Sequence, residues 1–267
     1  MDRPLNIYLI RGLTRESGHW GDFLIYLREA LPDANIHLLD LPGAGVHVTE
    51  KASSNAKKMV DFMRERALSD IQKQDSINII CATSLAGMLA TEWVLNHKND
   101  FHGLIMINSS FRGICSMKER VNKAVRGDML KILLTSNIEY RERLIIRVNS
   151  NKPELYDSLT KEWSKIQRER RMTRMNILRQ TLAGMRYGTK GRKPEIPLLI
   201  IGSKADRMVL PSCIEKMHGF FGGKLVWHPT SGHGLPIDEP EWLSAVISDW
   251  CRMDFREQYN AKLKLKE

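Results

Sequence analysis

Short runs of β-branched and aromatic residues alternate along this chain with longer amphipathic stretches, and that alternation narrows the available folds more than any other feature. Residues 5–10 read Leu-Asn-Ile-Tyr-Leu-Ile and stop at Arg11-Gly12; runs of the same kind recur at 36–41, 77–81, 104–107, 198–201 and 224–227. Near-continuous apolar character over four to six residues marks a strand covered on both faces rather than one with a wet side. Between these runs, residues 23–31, 56–68, 85–96, 212–220 and 239–252 carry helical periodicity. Strand followed by helix, repeated, predicts an α/β fold with a mostly parallel central sheet and helices on both faces.

The alternation breaks once. From Phe111 to Lys193 the pattern is helical with no convincing strand. Leu155, Leu159, Trp163, Ile166, Met175, Leu178, Leu182 and Met185 recur near every third or fourth position, which predicts one long helix from about 154 to 187, started by Pro153. Shorter helices are expected at 116–125, 130–135 and 139–147. The segment therefore reads as a helical cap, or lid, over residues 111–193, inserted into a core made of 1–110 and 194–267. Residues 112–193 hold 21 Lys and Arg against 8 Asp and Glu, while the whole chain of 267 residues has 41 against 31. The overall charge of +10 is thus a +13 insertion on a −3 body. The tail at 261–267, with alternating lysines, is expected to be frayed.

With 42% hydrophobic and 27% charged residues, the chain is too apolar for disorder and too polar for a membrane bundle. No apolar run approaches the roughly 20 residues of a membrane span, and residues 1–10 do not encode a secretion signal. Cys81, Cys115, Cys213 and Cys251 are scattered, without a Cys-x-x-Cys pair or a histidine at zinc-ligand spacing. The expectation is a reduced cytoplasmic protein with no disulfide, no metal site and no cofactor.

Chemistry is suggested by three segments in order. After the strand ending at Cys81, Ala82-Thr83-Ser84-Leu85-Ala86-Gly87 runs straight into a helix. A nucleophilic serine needs such a strand, sharp turn and helix, with small neighbours two before and two after; a serine there is also a common helix N-cap. The strand at 198–201 then leads to Gly202-Ser203-Lys204-Ala205-Asp206, a carboxylate at the C-terminal end of a strand, where ligands gather in such sheets. The last strand leads to Gly232-His233-Gly234, a histidine on an irregular loop.

At these residues the chain resembles the α/β-hydrolase superfamily, in the branch with a helical cap inserted after the sixth strand of that fold, and the resemblance covers nearly the whole sequence. It is similar in the Arg11-Gly12 turn, in Asp40-Leu41-Pro42-Gly43-Ala44-Gly45, in the Ser84 turn, in Asp206 and in Gly232-His233-Gly234. The resemblance implies a Ser84, Asp206 and His233 triad, an oxyanion hole from the backbone N–H groups of Leu13 and Leu85, and a serine esterase that cleaves a carboxylic ester or thioester. Two positions depart from the family. Its His-Gly is here Arg11-Gly12, and the usual glycines around the serine are Ala82 and Ala86. Arg11 either pairs with a carboxylate or steers an anionic group, and His19 either lines the pocket or caps the next helix, so both are candidate substrate contacts.

Other features read more plainly. Gly43-Ala44-Gly45 lacks the third glycine of a dinucleotide loop. Asn108-Ser109-Ser110 ends a strand where some relatives place the triad acid, but none of the three is acidic. Asp238 is expected at the surface or as a helix cap, and Trp163 and Trp242 as packing anchors. The rival to an esterase is a non-catalytic binding protein of the same fold that uses the basic cap as its interaction face. Nucleic acid is not an expected partner, since no recognition motif accompanies the charge. The expected partner is a small ester or thioester, anionic or carrier-bound.

Overall fold

A computed structural model describes residues 3–72 and 76–264. Six strands form one sheet: β1 (Leu5–Ile10), β2 (Ala34–Leu39), β3 (Ile77–Thr83), β4 (Gly103–Ile107), β5 (Leu198–Ser203) and β6 (Lys224–His228). Every pairing is parallel, in the order β2-β1-β3-β4-β5-β6. All residues of β3, β4 and β5 are buried, as their unbroken apolar runs require, whereas the edge strands β2 and β6 are mostly half-buried. Parallel neighbours need crossovers, and these are α1 (Phe23–Ala30), α2 (Ala56–Ile71), α3 (Leu85–Asn96) and, further along, α9 (Pro211–Phe221). Two cores result. One, between the sheet and α2, α3 and α9, contains Tyr8, Ile80, Trp93 and Met106; the other holds Leu9, Trp20, Phe23, Ile105 and Trp250 on the opposite face.

The helical insertion lies between β4 and β5, the fourth and fifth strands of this chain. It comprises α4 (Met117–Arg120), α5 (Lys123–Leu134), α6 (Ile138–Asn149), α7 (Tyr156–Glu169) and α8 (Arg174–Arg186). The single long helix expected from periodicity is in fact two, α7 and α8. The break has a local cause: Thr173 is extended, and its side chain accepts a hydrogen bond from Asn176 N, so it caps a new helix instead of continuing the old one. Arg170, at the end of α7, is drawn to Glu16 of the core through Nε at 2.9 Å. The two short helices expected at 116–125 and 130–135 are likewise redistributed, because Asn122 caps α5 and lets it run unbroken to Leu134. The chain closes with α10 (Leu235–Asp238), α11 (Pro240–Arg252) and α12 (Asp254–Lys264). Residues 261–264, expected to fray, continue α12, and 265–267 lie outside the described residues.

The cysteines overturn one expectation. Cys115 is disulfide-bonded to Cys213, with Cα atoms 5.4 Å apart, so the start of the insertion is tied to α9 across 98 residues of sequence. Cys81 and Cys251 are free and buried. The cytoplasmic reading rested on unpaired cysteines, and this pairing removes that support. Among the described residues no helix is long and apolar enough to cross a membrane.

Candidate active site

Strand order fixes where a site can form. The chain leaves β1 for β2 on one side and later enters β3 on the other, so the C-terminal ends of β1 and β3 flank the switch point of the sheet. Ile10 pairs with Ala82 there, which sets Gly12 against Ser84. A Cβ on Gly12 would stand 3.0 Å from Ser84 Cβ and 3.6 Å from its Oγ, so only glycine lets the two loops approach this closely.

Ser84 has φ 54° and ψ −122°, a conformation that a non-glycine residue adopts only when its surroundings impose it. Here Ser84 N donates to Ile107 O at 2.8 Å, and Ser109 Oγ donates to Ser84 O at 2.9 Å. The small neighbours Ala82 and Ala86 are fully buried, and at the next position a Cβ on Gly87 would stand 2.8 Å from Ser109 Cβ. The side chain of Ser84 does not cap α3. Instead its Oγ lies 2.9 Å from His233 Nε2, and His233 Nδ1 lies 2.7 Å from Asp206 Oδ2. A carboxylate can only accept, so this geometry assigns the ring proton to Nδ1 and leaves the Nε2 lone pair facing the serine hydroxyl. The other oxygen, Asp206 Oδ1, accepts from Met208 N at 2.7 Å and Val209 N at 3.0 Å. Such an array can move the Ser84 proton to His233 and hold the resulting charge.

Leu85 is the first residue of α3, so its N–H belongs to the four that no helical carbonyl can satisfy. Leu13 lies in the turn closed by Arg15 N donating to Gly12 O at 3.2 Å, with Thr14 at φ 61°. The loop that follows is braced by Asp40, whose Oδ1 accepts from both the backbone N and Oγ of Ser17 at 2.7 Å. Above it, α8 covers the serine's neighbour: a Cβ on Gly184 would stand 2.7 Å from Leu85 Cδ1.

Arg11 meets an aromatic ring rather than a carboxylate. Its guanidinium is buried and stacks over Trp20 at 4.9 Å, and among the described residues no carboxylate lies within ion-pair distance. Burial, with Arg15 adding repulsion, pushes its pKa down to about 9. His19 does cap, but it caps the short 3-10 turn Ser17–Trp20 that contains it rather than α1: its Nδ1 accepts from Glu16 N at 3.1 Å. Burial and the nearby Arg15 and Arg11 hold its imidazole well below the usual pKa, so it is neutral, and its ring packs edge-on against Trp163 at 5.1 Å. Trp163 is buried as expected, and Arg15 is drawn under it by Glu142 at 2.7 Å.

Three residues not picked out as functional from sequence shape the site. Asn108 is buried at φ 46°; its Oδ1 accepts from Ser203 N at 2.9 Å, and its Nδ2 donates to Ser203 Oγ and His233 O, both at 3.0 Å. Asp238, expected at the surface or as a cap, is buried and accepts from Gly232 N at 2.7 Å and Asn151 N at 3.0 Å. Asn151, between α6 and α7, donates through Nδ2 to Ala205 O at 3.0 Å and Thr230 O at 3.1 Å, bridging the Asp206 and His233 loops. Only Asn108 carried a local signal, an asparagine directly after a buried strand, where the left-handed region favours that residue.

The sequence model of the alpha/beta hydrolase family matches residues 7–246. The chain belongs to the alpha/beta hydrolase family. No curated protein matches the sequence. Among solved structures, this hydrolase-family chain is similar to an esterase from Thermogutta terrifontis, solved with malate bound, at 16% identity and a TM-score of 0.71, covering 95% of this chain and 91% of that one. An esterase from Rhodococcus is similar at 14% identity and a TM-score of 0.74, with 94% and 91% covered. The RedJ thioesterase of the prodiginine biosynthetic pathway in Streptomyces coelicolor is similar at 16% identity and a TM-score of 0.64, with 93% and 86% covered. At these identities the likeness establishes the α/β-hydrolase fold alone.

Proposed function

We propose that the protein is a serine hydrolase that cleaves a carboxylic ester or thioester through an acyl-enzyme. The observation that carries this reading is the hydrogen bond from Ser84 Oγ to His233 Nε2, which a serine acting as an N-cap would not make. His233 takes the Ser84 proton as Oγ attacks the carbonyl carbon; the same proton then goes to the leaving alcohol or thiol as the bond to it breaks. Water repeats the sequence on the acyl-enzyme, releasing the acid and restoring the serine. Asp206 fixes the imidazole tautomer and stabilises its protonated form. The Leu13 and Leu85 N–H groups bind the oxyanion, a contribution of about 2.7–4 kcal/mol per donor in comparable sites. Residues 111–193 act as a cap over a core of 1–110 and 194–267.

An anionic substrate is favoured by two features: a buried Arg11 with no carboxylate partner beside the Gly12 turn, and the +13 charge of the cap. The test is covalent labelling with a fluorophosphonate, together with turnover on matched esters, thioesters and amides. Wild type should label and turn over, and Ser84→Ala should do neither, with a loss on the order of a thousandfold or more while the fold persists. Labelling of the alanine variant at the wild-type rate would remove Ser84 from the mechanism. An unlabelled, inactive wild type would instead favour the non-catalytic binding protein.

A further inference from the structure

Of the eleven exposed large hydrophobic side chains among the described residues, eight lie in the insertion. Leu130, Leu133 and Leu134 on α5 and Met175, Leu178 and Met185 on α8 are 43% to 67% exposed. On each helix these residues recur at spacings that keep them on one side, with half-buried Leu182 completing the α8 row. The end of α5 is held to the start of α8, and the short helix just before α5 is held to the end of α8, so the two rows are carried by neighbouring parts of the insertion. Arg174 Nη2 donates to Leu134 O at 3.3 Å and Ser136 Oγ at 2.8 Å, joining the end of α5 to the start of α8. Arg120, from α4 just before α5, donates to Gly184 O at 2.7 Å and Met185 O at 3.2 Å at the other end of α8. Around this surface stand Lys123, Arg126, Arg171, Arg174 and Arg186, all exposed, and none is paired with a carboxylate among the described residues.

We propose that this α5–α8 face docks on an anionic lipid surface. An aliphatic patch ringed by long cationic side chains suits a bilayer interface, where Leu and Met enter the acyl boundary while Lys and Arg reach back to the headgroups. Each cation near an anionic leaflet adds to the attraction and loses its effect within a Debye length. A second copy of the chain would set these cations against their own symmetry mates. A protein partner's interface core is typically rich in Tyr, Trp and Phe and poor in Lys, and these rows carry no aromatic side chain and stand beside Lys123. The opposite side of α8 rests on Leu85, beside Ser84. On the hydrolase reading, the same helix therefore faces both the membrane and the reacting serine, and the substrate class becomes an amphiphilic ester drawn from the bilayer. Docking itself does not depend on that reading.

The test separates the two. Ser84→Ala protein, which cannot turn over lipid, is floated with vesicles of phosphatidylcholine alone and of phosphatidylcholine with phosphatidylglycerol, at about 0.1 M and about 1 M salt. Association is expected with the anionic vesicles at low salt, with affinity falling about tenfold or more at high salt or on neutral lipid. Leu130→Ser/Leu134→Ser and, separately, Lys123→Glu/Arg126→Glu should each weaken vesicle binding about tenfold. In the otherwise wild-type chain, both variants should keep their thermal midpoint and their rate on a short soluble ester. Equal association with both lipids, no association, or unchanged binding by both variants overturns the proposal. A dimer that dissolves in the leucine variant would assign the face to a second copy instead. Loss of turnover with docking intact would strike the hydrolase reading alone.

Discussion

Asn108 offers the sharpest test of how the site is held together. Its side chain joins the end of β5, which leads to Asp206, to the backbone of His233 itself. Asn108→Ala would leave Ser203 N and His233 O without these partners, in a position only 1% exposed. Each unsatisfied buried group costs about 1–3 kcal/mol. An alanine at φ 46° adds about 1 kcal/mol that asparagine tolerates better. Ser203 Oγ can turn to recover part of the loss, so a net destabilisation of about 3 kcal/mol is expected. The histidine loop would then shift, and a misplacement of about 1 Å costs on the order of a hundredfold in rate. Asn108→Asp is the informative companion. It keeps the acceptor for Ser203 N and the left-handed preference, but sets a carboxylate oxygen against His233 O, so it should be no better than alanine. Urea unfolding with a constant m-value, run beside kcat on a soluble ester, measures both effects. A stability change under about 0.5 kcal/mol with unchanged kcat in Asn108→Ala would refute the clamp. A large stability loss with unchanged kcat would show that His233 is positioned by something else.

Three further outcomes are expected. His19 stays neutral in the folded protein while the unfolded chain protonates it below about 6.5, so its contribution to stability is complete above that pH and is lost as the pH falls; His19→Gln should flatten the dependence of the urea midpoint between about pH 7.5 and 5.5, and an unchanged slope would contradict the buried-neutral assignment. Reducing Cys115–Cys213 reopens a loop of about 100 residues, for which chain entropy sets an upper value of about 4.7 kcal/mol; the denaturation midpoint should fall with a phosphine reductant in wild type and stay put in Cys115→Ser/Cys213→Ser. If the cap's charge steers substrate, kcat/KM for an ester with a remote carboxylate should drop severalfold between about 0.1 M and 1 M salt, with a matched neutral ester much less affected; equal responses would leave the charge as solvation only.

The sheet was legible because β3, β4 and β5 are covered on both faces, and full burial leaves no polar residue to interrupt the run. Ser84, Asp206 and His233 could be singled out because each lies on the turn or loop that follows a strand, and parallel strands deliver their C-terminal ends to one edge of the sheet. What could not be read was whatever depends on distant partners. Cys115 and Cys213 have no local spacing that announces their bond. Thr173 looks like an interior helical residue until Arg170 is seen to be pulled back to Glu16. Arg11 reads as a residue that pairs with a carboxylate or steers an anionic group, and only the fold reveals the indole that its guanidinium meets. Asp238 follows a glycine-rich loop at a distance typical of a surface cap, yet it is buried because Gly232 N and Asn151 N converge on it.

The crossbrace supplied by Asn151 bears on how this scaffold can be rebuilt. A single side-chain amide from the insertion grips the carbonyls of Ala205 and Thr230, and Gly234 N donates to Asn149 O at 2.7 Å a few positions away. The insertion is thus a structural member of the loops that carry Asp206 and His233, and not a detachable cover. Exchanging it for the helices of a relative would shift the loops that set Asp206 and His233 against Ser84. A graft that retained residues 149–151 in their present frame would transfer a new lining onto an undisturbed site. Changes beside Ser84 are therefore best made on α8, where Gly184 packs on Leu85, with the turn after α6 left as it stands.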